Sequence, residues 1–125
     1  MLINLSNHPS AQWSEKQLLE ANKLYGNVID MPFPHIPPEE GEDYIIEIAQ
    51  KFYHQIEEYQ NDNQNICLHI MGELTFCFCL VSMLKNSNIK CVASTTIRNV
   101  VQQGNVKTTV FEFCKFREYV IDKNN

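Results

Sequence analysis

The stretch Ile66–Ser94, ICLHIMGELTFCFCLVSMLKNSNIKCVAS, decides the fold. Ile66 to Met71 is an apolar run of strand length closed by Gly72, and Ile89 to Ser94 is a second such run. Between them, Glu73 to Leu84 is ambiguous in type, because Phe76, Phe78 and Val81 also suit a strand. Length resolves it. A crossover of about 16 residues between two strands is normally a helix. Asn86-Ser87-Asn88 ends that helix. Being apolar on most sides, it is expected to be the most buried helix of the chain.

The same alternation continues upstream. Leu2-Ile3-Asn4-Leu5-Ser6-Asn7-His8 reads as a short strand running into a polar loop. Ser14 and Gln17 form a capping box, in which hydroxyl and amide satisfy the orphan donors of a helix start. The helix spans about Glu15 to Tyr25, with Leu18, Ala21 and Tyr25 on one face, and Gly26 suits the left-handed position after it. Asn27 to Met31 is a second strand. Pro32, Pro34, Pro37 and Pro38 fix a stiff extended loop, since proline cannot donate to a ladder. Glu39, Glu40, Glu42 and Asp43 complement a helix N-terminus. Ile45, Ile48, Ala49, Phe52, Ile56 and Tyr59 then recur at helical spacing. Gln60 to Asn65 is a polar break.

Downstream, Arg98 to Val101, a Gly104-Asn105 turn and Val106 to Tyr119 read as a β-hairpin. Val110, Phe111, Phe113, Cys114 and Phe116 on its second arm imply that both faces are partly covered. Asp122 to Asn125 is expected to fray. The whole reads as one α/β domain over residues 1–125, Rossmann-like, with a mainly parallel sheet, flanking helices and a C-terminal β-hairpin.

Composition narrows the function. With 44% apolar residues the 125-residue chain supports a real core, and a formal charge of −5 argues against broad nucleic-acid binding. A small anionic ligand held by a few local donors stays compatible with it. No apolar run reaches the length of about 18 residues that a membrane span needs. Met1-Leu2-Ile3-Asn4 has no basic region or small-residue cleavage site, so a cytoplasmic location is expected. Cys67, Cys77, Cys79, Cys91 and Cys114 contain no CxxC pair and are odd in number, so they read as reduced, buried structural thiols. A zinc site is the weaker reading, because no second Cys or His pair has ligand spacing. No metal and no cofactor is expected.

Ligands of open α/β sheets bind at the carboxyl ends of the strands. Three exits are unusually polar here: Ser6-Asn7-His8-Pro9-Ser10 with Trp13 behind it, Met71-Gly72-Glu73 with Thr75, and Ser94-Thr95-Thr96 with Arg98. Hydroxyls, amides, helix N–H groups and a guanidinium together make a cradle for phosphate or nucleotide. There is no GxGxxG and no Walker loop. The blander account makes Ser and Asn helix caps, Thr a strand-end residue and Arg98 a solvated charge. Among the four histidines, His8 sits in the first exit, and histidine is the side-chain type suited to proton transfer near neutral pH. His35 in the proline loop is able to reach the same rim, His54 lies on a polar helix side, and His69 alternates with apolar residues as a packing histidine. Glu73 suits a general acid or base, and equally a helix start. Spacing alone reveals no Ser/His/Asp or Cys/His set.

The segments LINLSNHPSAQW, LHIMGELTFCFCLVSML and CVASTTIRNVVQQGNVKTTVFEFCKFREY resemble small accessory proteins of type III CRISPR systems, in the group of ring nucleases and cyclic-oligoadenylate-binding proteins. The resemblance is one of organisation along nearly the whole chain. It implies a CARF-like Rossmannoid homodimer whose joined strand ends hold one cyclic tetra-adenylate. In enzymatic members the ribose 2′-hydroxyl attacks the adjacent phosphodiester without a metal, and the protein aligns the attack and stabilises charge on phosphate. The corresponding positions are Ser6, Asn7 and His8 in the first loop, and Ser94, Thr95, Thr96 and Arg98 in the last.

The expected function is therefore binding, and metal-independent cleavage, of a cyclic oligoadenylate that drives an antiviral response. His8, Arg98 and Glu73 are the catalytic candidates; Ser6, Asn7, Ser10, Trp13, Gly72, Thr75, Ser94, Thr95 and Thr96 are the ligand-binding ones. A non-catalytic sponge for the messenger and an unrelated Rossmannoid nucleotide-binding enzyme are the alternatives. No long nucleic acid and no membrane is expected as a partner.

Overall fold

A computed structural model describes residues 1–62 and 65–122. Five strands, β1 (Leu2–Ser6), β2 (Val28–Asp30), β3 (Cys67–Met71), β4 (Lys90–Gln103) and β5 (Val106–Glu118), form one sheet in the order β2-β1-β3-β4-β5. The β1–β2, β1–β3 and β3–β4 pairs are parallel, and β4–β5 is antiparallel. Three helices, α1 (Glu15–Tyr25), α2 (Glu42–Asp62) and α3 (Leu74–Asn86), supply the crossovers. The fold is the Rossmann-like α/β architecture expected, with its C-terminal hairpin. Among the described residues, no helix is long and apolar enough to cross a membrane.

Strand alternation divides the core in two. Ile3, Leu5, Leu68, Ile70 and Cys91 face α2 and α3, meeting Ala49, Phe52, Ile56, Phe76, Leu80 and Leu84. Leu2, Cys67 and Val92 face α1, where they meet Trp13, Ala21, Phe113 and Phe116, with Leu18 and Tyr25 packed alongside. Strands covered on both faces need apolar residues at almost every position, so β1 and β3 lack a clean alternation. Full burial of each such Leu, Ile or Phe stabilises the fold by about 1.5–3 kcal/mol.

Local signals hold with informative exceptions. Ser14 Oγ accepts from the Gln17 backbone N–H at 3.2 Å, as the capping reading requires. The Gln17 side chain does not complete the box; it donates to Ser94 Oγ at 2.9 Å. Gly26 takes a φ of +87° after α1. Burial is deepest on α3 through Phe76, Cys77, Leu80, Val81 and Leu84, yet Leu74 and Phe78 stand in solvent, so one stripe of this apolar helix is uncovered. The break expected at Gln60 starts later, because α2 continues to Asp62. Positions 63 and 64 of that break, and 123–125 of the tail expected to fray, lie outside the described residues.

The C-terminal third differs most from expectation. Ser94-Thr95-Thr96 is not a strand exit: β4 runs through it, and the hairpin expected from Arg98 onward is the same strand prolonged. β3 pairs with β4 only as far as Val92, so beyond that point β4 has β5 as its sole strand partner among the described residues. A bulge interrupts the ladder, with Thr95 opposite Lys115 and Thr96 opposite Phe113, leaving Cys114 as the extra residue. The bulge returns Phe113 to the face of Phe116, where plain alternation would have turned it away. The distal ribbon projects with neither face covered, since Ile97, Val100, Val101, Val106, Val110 and Phe111 are all exposed. The partial covering expected of this arm is confined to Phe113 and Phe116 at its base.

All five thiols are free. Cys67, Cys77 and Cys91 are buried and Cys79 is half-buried, whereas Cys114, at the bulge, is exposed rather than part of a core. Burial pushes Cys67 and Cys77 up to about 11 and Cys91 to about 12, which keeps them as inert thiols.

Candidate functional site: a polar relay at the β1–β3 crossover

The order β2-β1-β3-β4 places the reversal of strand order between β1 and β3, because β1 leads outward to β2 while β3 continues to β4 on the other side. In doubly wound sheets this is where a crevice opens at the strands' carboxyl ends. The residues presented there are polar although they lie in buried strands. Asn4 and His69 are register partners across β1 and β3, and His69 in turn faces Val92 on β4. Two residues further along the same face of β4 comes Ser94.

These three side chains are joined. Asn4 Oδ1 and His69 Nδ1 lie 2.9 Å apart, and His69 Nε2 and Ser94 Oγ lie 2.6 Å apart. Asn4 donates through Nδ2 to the His8 carbonyl and to Asp30 Oδ1, each at 2.8 Å, and accepts from Ser6 Oγ at 2.8 Å. Asp30 also receives the Ser10 backbone N–H at 3.0 Å and the Ser10 hydroxyl at 2.8 Å. Burial alone would raise the Asp30 carboxyl, but these hydrogen bonds from Asn4 and Ser10 outweigh it and hold the group below its ordinary value. His69 is wedged edge-on to Trp13 and Phe116. Desolvation, helped by the nearby His8, lowers it to about 4, so the imidazole is neutral at physiological pH.

Beside the relay lies an open cleft of about 900 Å³. Its floor includes Ser6, His69, Gly72 and Ser94, with Trp13 and Gln17 on the α1 side and Asn7 and His8 at the mouth. Thr96, Phe111 and Phe113 from the hairpin close the far wall, and Lys16 supplies a cation and Glu112 an anion. The structure thus gathers Ser6, Asn7, His8, Trp13, Gly72, Ser94 and Thr96 from the residues singled out by sequence.

It places the others elsewhere. Ser10 does not line the cleft; it is bonded to Asp30, which lines a separate depression with Tyr59 and Asp62. Thr95 points to the opposite face of β4 and bridges the bulge, its hydroxyl bonded to the Lys115 backbone. Glu73 is the N-cap of α3, accepting from the Phe76 backbone N–H and the Thr75 hydroxyl, each at 2.7 Å. These hydrogen bonds hold its carboxyl below the ordinary value. Glu73 and His35 line a separate shallow depression that meets the cleft only through Asn7. Arg98 is exposed on the ribbon, opposite Phe111 and two pairs beyond Thr96 and Phe113, on the cleft-facing side of β4. His54 is solvated on α2, as its helix side implied.

His69, Lys16 and Gln17 are the functional candidates that sequence reasoning passed over. His69 is as buried as a packing histidine, and its two hydrogen bonds come from residues 65 and 25 positions away. The available signal was a polar residue in each of two strands too apolar to reach solvent, Asn4 and His69, since buried polar groups require partners. Gln17 was absorbed by the capping motif. Among the described residues no group of three His, Cys, Asp or Glu side chains is placed to hold a metal.

In comparison with protein families, residues 1–117 fit the model described as Uncharacterized protein MJ1673 family. No curated protein and no solved structure matches the sequence.

Proposed function

The chain belongs to the MJ1673 family, and we propose that its crossover cleft binds a cyclic oligoadenylate, cyclic tetra-adenylate in the first instance, and opens it without a metal. The observation carrying this reading is the cleft's make-up at the strand ends: aromatic walls, a lysine, and a floor of hydroxyl, amide and imidazole groups. Aromatic faces stack bases, and Phe111 is well exposed for that purpose. Lys16 at the cleft and Arg98 beyond it supply charge for phosphate, which a chain of net charge −5 must concentrate locally. His8 at the mouth is the group placed to move a proton during attack of the ribose 2′-hydroxyl. Glu73, committed to the start of α3, has no part in this reading.

The ligand's two-fold symmetry calls for two copies of the cleft, and hence a C2 dimer. The uncovered apolar ribbon is the surface offered for that contact, because monomers rarely leave such patches open.

Incubation of the purified chain with labelled cyclic tetra-adenylate in EDTA tests the reading. A linear product supports cleavage, a stable complex without product reduces the function to sequestration, and absence of both overturns it. Lowering a messenger of this kind would damp a type III CRISPR antiviral response.

A further inference from the structure

The proton positions in the relay follow from one residue. Asn4 Nδ2 meets a carbonyl and a carboxylate, which only accept, so its amide cannot be turned over. Oδ1 must then face His69 and accept the proton of Nδ1. The Nε2 lone pair is left toward Ser94, whose single hydroxyl hydrogen has to fill it. Gln17 therefore donates to Ser94 Oγ rather than accepting from it.

A hydroxyl that donates to a neutral imidazole, oriented by an amide and open to a cleft, has the arrangement of a nucleophile and its base. We propose that Ser94 is a covalent nucleophile, activated by His69, and that the cleft hydrolyses a carboxylic ester through an acyl-enzyme. Ser94 Oγ bonds to the carbonyl carbon as its proton passes to His69 Nε2 and the carbonyl π pair moves to oxygen. Gln17 Nε2 has a second hydrogen for that oxyanion, next to the one already on Ser94. When the carbonyl re-forms, the ester C–O bond breaks and the departing alkoxide takes the proton from His69. Water then repeats the sequence on the acyl group, its proton going to His69 and on to Ser94 Oγ. Ester and water give acid and alcohol. Asn4 is a positioning residue that holds the tautomer. This activity shares the cleft with the reading above but neither its substrate nor its attacking group.

The test uses a fluorophosphonate, in which Ser94 Oγ would replace fluoride on phosphorus. Intact-mass analysis of the full chain should show a single adduct, mapped to Ser94 by peptide sequencing. Ser94→Ala should abolish it, and His69→Gln should slow it at least about 100-fold, the usual contribution of a general base. Circular dichroism checks that both variants fold. Asn4→Ser should move the acid limb of the labelling rate along the pH axis, whereas a purely structural role would lower the rate without moving it. No adduct, an adduct on another residue, or equal labelling of His69→Gln overturns the proposal. Labelling with neither binding nor turnover of cyclic tetra-adenylate defeats only the earlier reading, and turnover without labelling defeats only this one.

Discussion

Asn4 and His69 face each other across the β1–β3 ladder and are also bonded side chain to side chain, Oδ1 to Nδ1, at 2.9 Å. Backbone pairing and side-chain chemistry thereby coincide at the one place where the sheet's connections reverse. A one-residue slip of β3 against β1 would separate the amide from the imidazole and put His69 on the wrong face.

Acid should destabilise the fold through His69. Its folded value of about 4 lies below the unfolded value of 6.5, so the unfolded chain binds the extra proton. The contribution is fully present above pH about 6.5 and is lost as pH falls toward about 4, amounting at the limit to on the order of 3 kcal/mol. Urea unfolding between those limits should show the slope, and His69→Gln should flatten it. An equal slope in the variant would assign the loss to other groups.

Gly72→Ala should destabilise the protein. A Cβ at this exit would run into the Phe33 ring, which is itself packed edge-on to Phe76. Overpacking of this kind costs about 1–3 kcal/mol. Combining it with Phe33→Leu should restore part of the loss in denaturant melts; additive losses would count against the clash.

Phosphate recognition predicts separate effects for the two cations and the loop histidine. A hydrogen bond to a charged group contributes about 1.5–3 kcal/mol, so Lys16→Ala or Arg98→Ala should weaken binding of cyclic tetra-adenylate by roughly 10- to 100-fold. Both side chains are on the surface, and the fold should survive. His8→Ala should lower turnover more than affinity. Calorimetry with single-turnover cleavage measures both, and unchanged affinity in both cation variants removes the phosphate contacts.

The ribbon predicts an assembly that can be broken without entering the cleft. Val101 lies on the ribbon face opposite Arg98 and Phe111 and is about half exposed (47%). Val101→Lys should convert a dimer at micromolar concentration to monomer in sedimentation velocity. A wild-type chain that is monomeric with and without ligand would exclude the two-fold model.

Periodicity and end signals were enough to determine the helices from sequence. Ser14 and Gly26 bound α1, the repeat from Ile45 to Tyr59 marks α2, and the length of the Glu73–Leu84 run makes α3 a helix despite its phenylalanines. These are interactions within a few residues, and they survive in a one-dimensional reading. The polar loop Ser6–His8 and its place at a strand end were legible for the same reason. Tertiary structure alone decided where β4 stops and which polar residues meet. Ser94 reads as the end of its strand and the start of an exit because hydroxyl and β-branched residues suit both loop and strand, while the pairing with β5 that prolongs β4 lies some twenty residues downstream. The same holds for the relay. Asn4, His69 and Ser94 become neighbours only when β1, β3 and β4 align in register, and no spacing along the chain encodes that register.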